Sequence, residues 1–258
     1  MPRWGFPALI ALALALALGL VLSILGSQLG FVAGHAPLRV LAQPEIRHAL
    51  LLSLTTATGA AGLAVLLAVP AAYGLVRFPF PGSKAADVLL DVPVILSPVA
   101  LGVSLLLFFR SSPGQWIESH LLRFVFEVPG ILLAQFTVAL ALSIRVLKAA
   151  FEQVDPRYEQ VARFLGCTAH GAFARVTFPL IRKPLIAAFI LAWARSVGEF
   201  GATVTLAGAV AGKTETIPAA IYLRMAEVNI EEAVALILVL SGLSLMVLIG
   251  IRLLGGRR

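Results

Sequence analysis

The sequence is short of charge and nearly devoid of cysteine. Of its 258 residues only 13% are Asp, Glu, Lys or Arg, while 60% are hydrophobic. Soluble domains sit near a quarter charged and half apolar, so this balance excludes an ordinary soluble fold and points to a polytopic membrane protein. The single Cys167 excludes an internal disulfide framework. Its plain reading is a small residue after Gly166. There is no G-x-x-x-x-G-K-[ST] loop, no H-E-x-x-H pair and no Cys/His cluster at metal-ligand spacing. If ATP drives this protein, another chain supplies the nucleotide site. His35, His48, His120 and His170 are scattered through loops, which disfavours a membrane-embedded enzyme. A net charge of +7 would suggest nucleic acid or an anionic surface in a soluble protein. Here its distribution reads as membrane topology, and no nucleic-acid partner is expected.

What the chain has in quantity is long apolar runs, each near the roughly 20 residues that cross a bilayer core. Six are expected, at about 6–29, 50–76, 87–109, 131–148, 185–206 and 231–254, in one transmembrane domain of residues 1–258. A signal peptide competes for the first run, but the run exceeds the usual 7–15-residue apolar core of such peptides and lacks a clear small-x-small site, so it reads as an uncleaved helix. The second is softened by Thr55, Thr56, Thr58, Gly59 and Gly62, which favours close helix packing. Pro93 and Ser97-Pro98 interrupt the third. Residues 110–129 form a loop with Trp116 and a short interfacial helix, and 205–229 a polar re-entry with Gly208, Gly212 and Pro218. The short stretch after Leu254 leads us to expect no added cytoplasmic regulatory domain.

Six crossings place both termini on one side. With the termini inside, thirteen Lys and Arg face the cytoplasm, including Arg3, Arg77, Lys84, Arg145, Lys148, Arg257 and Arg258, against six outside, Arg39, Arg47, Arg110, Arg123, Lys213 and Arg224. The positive-inside rule then puts the 149–184 loop in the cytoplasm.

That loop holds the one long polar, basic segment, Asp155 to Pro184. Asp155-Pro156 opens a short helix and Gly166 closes it in a left-handed conformation. Val161, Phe164 and Leu165 share a face, an apolar knob flanked by Arg157 and Arg163. Such a knob is costly unless it is covered. It either folds back onto the chain's own helices, lies in the headgroups, or meets a soluble partner.

A second informative run, Ala194 to Thr205, sets Arg195 and Glu199 in an apolar helix. Intramembrane charges are expensive and by default suggest function; at spacing i, i+4 they also suit a purely structural ion pair. Gly198 and Gly201 permit close helix approach. Ser196, Thr203 and Thr205 offer neutral donors, suited to favourable entry with weak retention of an anion, or simply pack. Lys213 and Arg224 could attract an anion or contact a partner.

Two motif resemblances narrow these options. Gln160-Val161-Ala162, three residues, Gly166, nine residues, then Val176-Thr177-Phe178-Pro179 resembles the E-A-A-x-x-x-G…I-x-L-P loop of ABC-transporter permeases. Gln160 stands at the pattern's Glu, with Glu159 just before it. Arg195-Ser196-Val197-Gly198-Glu199-Phe200-Gly201-Ala202-Thr203 and Thr216-Ile217-Pro218-Ala219-Ala220-Ile221-Tyr222 resemble the R-x-x-G-E-F-G-A-T and T-[IL]-P-x-A-I-Y elements of oxyanion-importer permeases, and together point to the molybdate or tungstate branch more than to sulfate. The resemblance implies an all-α, six-helix permease of the type I ABC importer kind in a prokaryotic inner membrane. It also implies a homodimer, two cytoplasmic ATPase subunits that bind ATP and Mg, an extracytoplasmic oxyanion-binding protein, and no cofactor on this chain. Glu159, Gln160, Val161, Ala162, Phe164, Gly166 and Pro179 would couple to the ATPase. Arg195, Ser196, Gly198, Glu199, Gly201, Thr203 and Thr205 would be pathway candidates. A sulfate or thiosulfate permease is the nearest alternative. An ATP-independent secondary transporter would favour more buried acids than Glu199 and a repeated half, and neither is visible.

Overall fold

The computed structural model describes residues 5–32, 43–78 and 80–255. Arg3, His35, Arg39, Arg257 and Arg258, used in the reading above, lie outside the described residues. Every described element is helical: α1 (Gly5–Val32), α2 (Pro44–Arg77), α3 (Ser83–Ile95), α4 (Pro98–Arg110), α5 (Ser112–His120), α6 (Val128–Glu152), α7 (Arg157–Phe164), α8 (Ala169–Ala172), a π turn (Phe173–Thr177), α9 (Phe178–Val197), α10 (Gly201–Ala207), α11 (Ile217–Ala226) and α12 (Ile230–Gly255). Five of these stretches are long and apolar enough to cross a membrane, or six if α3 and α4 together count as one.

The centre is α2 laid along α6, with α9 against both. Their contact is made by small residues at helical spacing. Ser53, Ala57, Ala60, Ala61, Ala64, Ala68 and Ala72 form the buried stripe of α2, and Ala134, Ala139, Ala141 and Ser143 lie on α6. Within lipid the hydrophobic effect drives no helix pairing, so close van der Waals approach across small side chains holds the pair. Larger side chains close the two ends: Phe151, Leu147, Ile144 and Ile181 at one, and Leu101, Phe109, Val138 and Leu206 towards the other. α1 touches α12, and the apolar window of its span is wholly unburied.

Two of the expected spans are broken. Residues 87–109 are not one interrupted helix, because α3 and α4 meet at 114°. Pro98 disfavours helical geometry at the residue before it. Ser97 is accordingly extended, with ψ 145°, and its hydroxyl accepts a hydrogen bond from the Ala100 amide at 3.3 Å to start α4. The expected helix 185–206 divides as well: α9 ends at Val197, and α10 begins at Gly201 after a turn through Gly198, Glu199 and Phe200. At its other end this span starts earlier than expected, at Ala169, and runs through the π turn. Pro179 has no amide hydrogen to offer the preceding turn, and the wider π turn absorbs that loss.

Glycine makes the close approach of α10 to α4 possible. A Cβ on Gly201 would lie 2.7 Å from the Pro98 Cβ, and one on Gly102 2.7 Å from the Thr205 Cβ. The loop after α10 turns at Gly208 and Gly212, both at φ +73°, and enters α11. α5 carries the exposed Trp116, as the interfacial-helix reading expects.

Candidate functional sites: an exposed helical knob and a polar helix break

α7 opens where the Asp155 carboxylate accepts a hydrogen bond from the Arg157 amide at 2.9 Å. It closes at Gly166, at φ +92°, where the Cys167 amide reaches back to the Ala162 carbonyl at 3.0 Å. Glycine adopts this conformation without the steric cost other residues meet. Of the eight residues in α7 only Ala162 is buried. Phe164 is 91% exposed, and Tyr158, Val161 and Leu165 are exposed beside it. Gln160, Arg163, Phe164 and Cys167 line a groove of about 410 Å³. A phenylalanine standing free on a polar helix outside the spans is the arrangement of an uncovered contact surface. Pro179 is exposed and belongs to the first turn of α9, just after the π turn, and not to α7.

Glu159 differs from its neighbours. Its carboxylate turns inward, accepting hydrogen bonds from the Tyr73 hydroxyl at 2.8 Å, the Thr177 hydroxyl at 2.6 Å and the Arg77 Nε at 3.3 Å. Sequence reasoning grouped it with the coupling face and missed Tyr73, Arg77 and Thr177. The available signal was phase: Glu159 and Ala162 are three apart, hence on one side of a helix, opposite Val161 and Phe164.

At the break between α9 and α10, Glu199 is 1% exposed. One of its oxygens lies 2.5 Å from the Arg195 guanidinium and the other accepts from the Ala202 amide at 3.0 Å, so it both neutralises Arg195 and starts α10. Arg195 is 37% exposed and lines a cavity of about 190 Å³ together with Pro93, Leu96, Pro98, Val138 and Leu142, at the bend between α3 and α4. The two broken segments, one at Ser97-Pro98 and one at Gly198-Glu199-Phe200, far apart in sequence, therefore meet at one partly screened cation. Ser196 and Thr203 are buried with hydroxyls that have no hydrogen-bond partner among the described residues, as does Ser143 on α6. Thr205 is half-buried and donates to the Gly201 carbonyl at 2.7 Å, and Gly198 is exposed at the turn. Gln135, a buried amide in the middle of an apolar helix, also went unnoticed in the sequence reading.

Neither Lys213 nor Arg224 stands alone. Lys213 is 2.6 Å from Glu127. Arg224, 14% exposed, is paired with Glu232 at 2.9 Å, Glu227 at 3.1 Å and Glu45 at 3.6 Å. Nearby, burial raises the Glu215 carboxyl above the ordinary glutamate range, with Arg224 pulling the other way.

An all-helical chain built for the bilayer, with a small polar helix displayed beyond its spans and a broken pair of helices within, defines a membrane transport subunit. Residues 62–258 match the family described as binding-protein-dependent transport system inner membrane component, and the chain belongs to it. It is 34% identical over 254 residues to the molybdenum transport system permease protein ModB of Mycobacterium tuberculosis, covering 97% of this chain and 94% of that one. It is 30% identical over 238 residues to the sulfate transport system permease protein CysT of Escherichia coli, covering 92% and 86%. Among solved structures, a bacterial alginate ABC transporter in complex with an alginate pentasaccharide-bound periplasmic protein superposes with a TM-score of 0.70 at 16% identity, covering 96% of this chain and 92% of that one. That last likeness establishes the fold. The relatives agree with the resemblance to oxyanion-importer permeases read from the sequence.

Proposed function

We propose that this chain is the permease subunit of an ATP-driven importer of molybdate or tungstate. It works as a homodimer with two ATPase subunits that carry ATP and Mg, and with an external oxyanion-binding protein. Both termini and α7 lie in the cytoplasm. The observation that carries the ATP-coupled part is Phe164, an apolar side chain 91% exposed on a helix outside the spans. Gln160, Val161 and Phe164 form the docking face, Ala162 and Gly166 fix its shape, and Pro179 fixes the turn behind it. The near full-length likeness to a molybdenum permease supports the choice of anion.

Arg195, already neutralised by Glu199, supplies an attraction weak enough to let a dianion pass, with Ser196, Thr203, Thr205 and the backbone at Gly198 and Gly201 as the neutral surroundings. Entry with weak retention is what permeation requires. The near full-length likeness to a sulfate permease supports the second reading, in which sulfate or thiosulfate is the cargo.

The test is ATP hydrolysis by the reconstituted assembly in liposomes, with binding protein loaded with molybdate, tungstate or sulfate. Stimulation by one loaded form supports the importer and ranks the anions. Uptake by this chain alone, driven by an ion gradient, contradicts it.

A further inference from the structure

α7 has almost nothing apolar holding it to the rest of the chain, since Ala162 is its one buried residue. What holds it is polar. The Glu159 carboxylate gathers the Tyr73 hydroxyl and Arg77 Nε from the last turns of α2 and the Thr177 hydroxyl from the end of the π turn. Arg77 also donates to the Val154 carbonyl, just ahead of α7, at 2.6 Å. The Arg77 and Glu159 side chains are 9% and 13% exposed, and Thr177 is fully buried. Water therefore competes weakly for these bonds, and bonds to a charged acceptor are the stronger kind. The Tyr73 ring is wedged edge-on against Phe78, Phe151 and Phe173, which fixes its hydroxyl.

The same α2 grips the opposite end of the molecule. The Ser53 hydroxyl accepts a hydrogen bond from the Ile217 amide at 2.8 Å, holding the head of α11, and Glu45 pairs with Arg224 of α11. Twenty residues of helix separate Ser53 from Tyr73, about 30 Å at 1.5 Å per residue. The helix is continuous through Pro70, with Ala68 and Ala72 on either side buried in one cluster.

We propose that Glu159 is a positioning residue that ties α7 to α2 and to the head of α9, so that a displacement of α7 is delivered along α2 to α11 and the 208–216 loop. The proposal rests on α7 being the helix an ATPase moves. Coupling of this kind needs a contiguous network with two arrangements, and the Glu159 knot is the joint through which side chains of α7 reach α2.

The experiment uses the reconstituted transporter with its ATPase and loaded binding protein. Uptake per ATP hydrolysed is measured alongside co-purification of the ATPase. A thiol reporter in the 208–216 loop is supplied by Val210→Cys in a Cys167→Ser background. In the unaltered knot, ATP changes the labelling rate of the reporter. Glu159→Ala is expected to keep the ATPase bound and hydrolysing while uptake per ATP falls at least tenfold and the ATP-dependent labelling change disappears. Tyr73→Phe, which keeps the ring packing and removes one hydroxyl, is expected to lower uptake per ATP two- to fivefold while the chain stays folded, with only a small fall in melting temperature. Wild-type uptake per ATP in both variants overturns the proposal, as does loss of the ATPase from Glu159→Ala, which would place Glu159 in the docking face itself. Failure of the unaltered chain to bind or respond to an ATPase overturns the importer reading instead.

Discussion

The two ends of α2 are held by polar clusters of opposite design. At the C-terminal end one carboxylate, Glu159, sits among donors, and Arg77 matches its charge. At the N-terminal end one guanidinium, Arg224, sits among Glu45, Glu227 and Glu232, with the buried Glu215 close by, so acids outnumber the base. The first cluster balances one base against one acid, and if the arginine goes two hydroxyls still hydrogen-bond the acid although its charge loses its partner. The second leans on one residue, because without Arg224 the four acids keep only the Gln43 amide, which donates to Glu232, and His48 near Glu215. A buried charge that loses its partner costs far more than the intact pair contributes.

The comparison is sharpest in the arginines. Arg224→Ala is expected to destabilise the protein by about 3 kcal/mol, because the buried Glu215 and the mostly buried Glu232 lose their base. Glu45 and Glu227 are well exposed and contribute little. The loss is read as a fall in thermal unfolding temperature in detergent. Arg77→Ala should cost somewhat less, about 2 kcal/mol, since it strands a single carboxylate, Glu159, that Tyr73 and Thr177 still hydrogen-bond. Equal losses would break the contrast.

Glu215 sets the pH behaviour of the acidic end. Burial raises its carboxyl, Arg224 opposes this, Glu45 and Glu227 add to it, and His48 opposes it. Between the ordinary glutamate value and this raised one the folded state binds more protons than the unfolded state. Glu215 therefore makes stability rise as pH falls through that window, the reverse of a carboxylate depressed by an ion pair. Glu215→Gln should remove this component, seen as a flatter unfolding temperature from pH 7 down to about 4.5. An unchanged profile would contradict the assignment. The smallest effect belongs to Lys213→Ala. Its pair with Glu127 is well exposed, and the expected change is within about 0.5 kcal/mol.

Much of the scaffold was legible because apolar runs of bilayer length have few other uses. A short helix carrying Trp116 was legible too, as was Gly166 as a left-handed stop, each from local chemistry. The breaks were visible only as residues. Pro93 and Ser97-Pro98 announce a disturbance, but neither its 114° angle nor the packing of Gly201 against Pro98 is encoded in a local pattern. The ion pair of Arg195 and Glu199 could be read from its spacing; its position at the α3–α4 bend could not. α7 inverts the usual rule, turning a glutamate inward and exposing a phenylalanine. Periodicity finds the two faces but cannot say which faces inward when a partner lies outside the chain. The Arg224 cluster joins three separate elements, α2, α11 and α12, and so leaves only the Arg224–Glu227 spacing as a local trace.

The most direct measurement is molybdate uptake by the reconstituted assembly carrying Phe164→Asp, with ATPase co-purification followed on the same preparation. A charge on the uncovered knob should leave membrane insertion and thermal unfolding intact while uptake falls at least tenfold and the ATPase binds weakly or hydrolyses without transport. Uptake and ATPase binding equal to those of the unaltered chain would contradict the account.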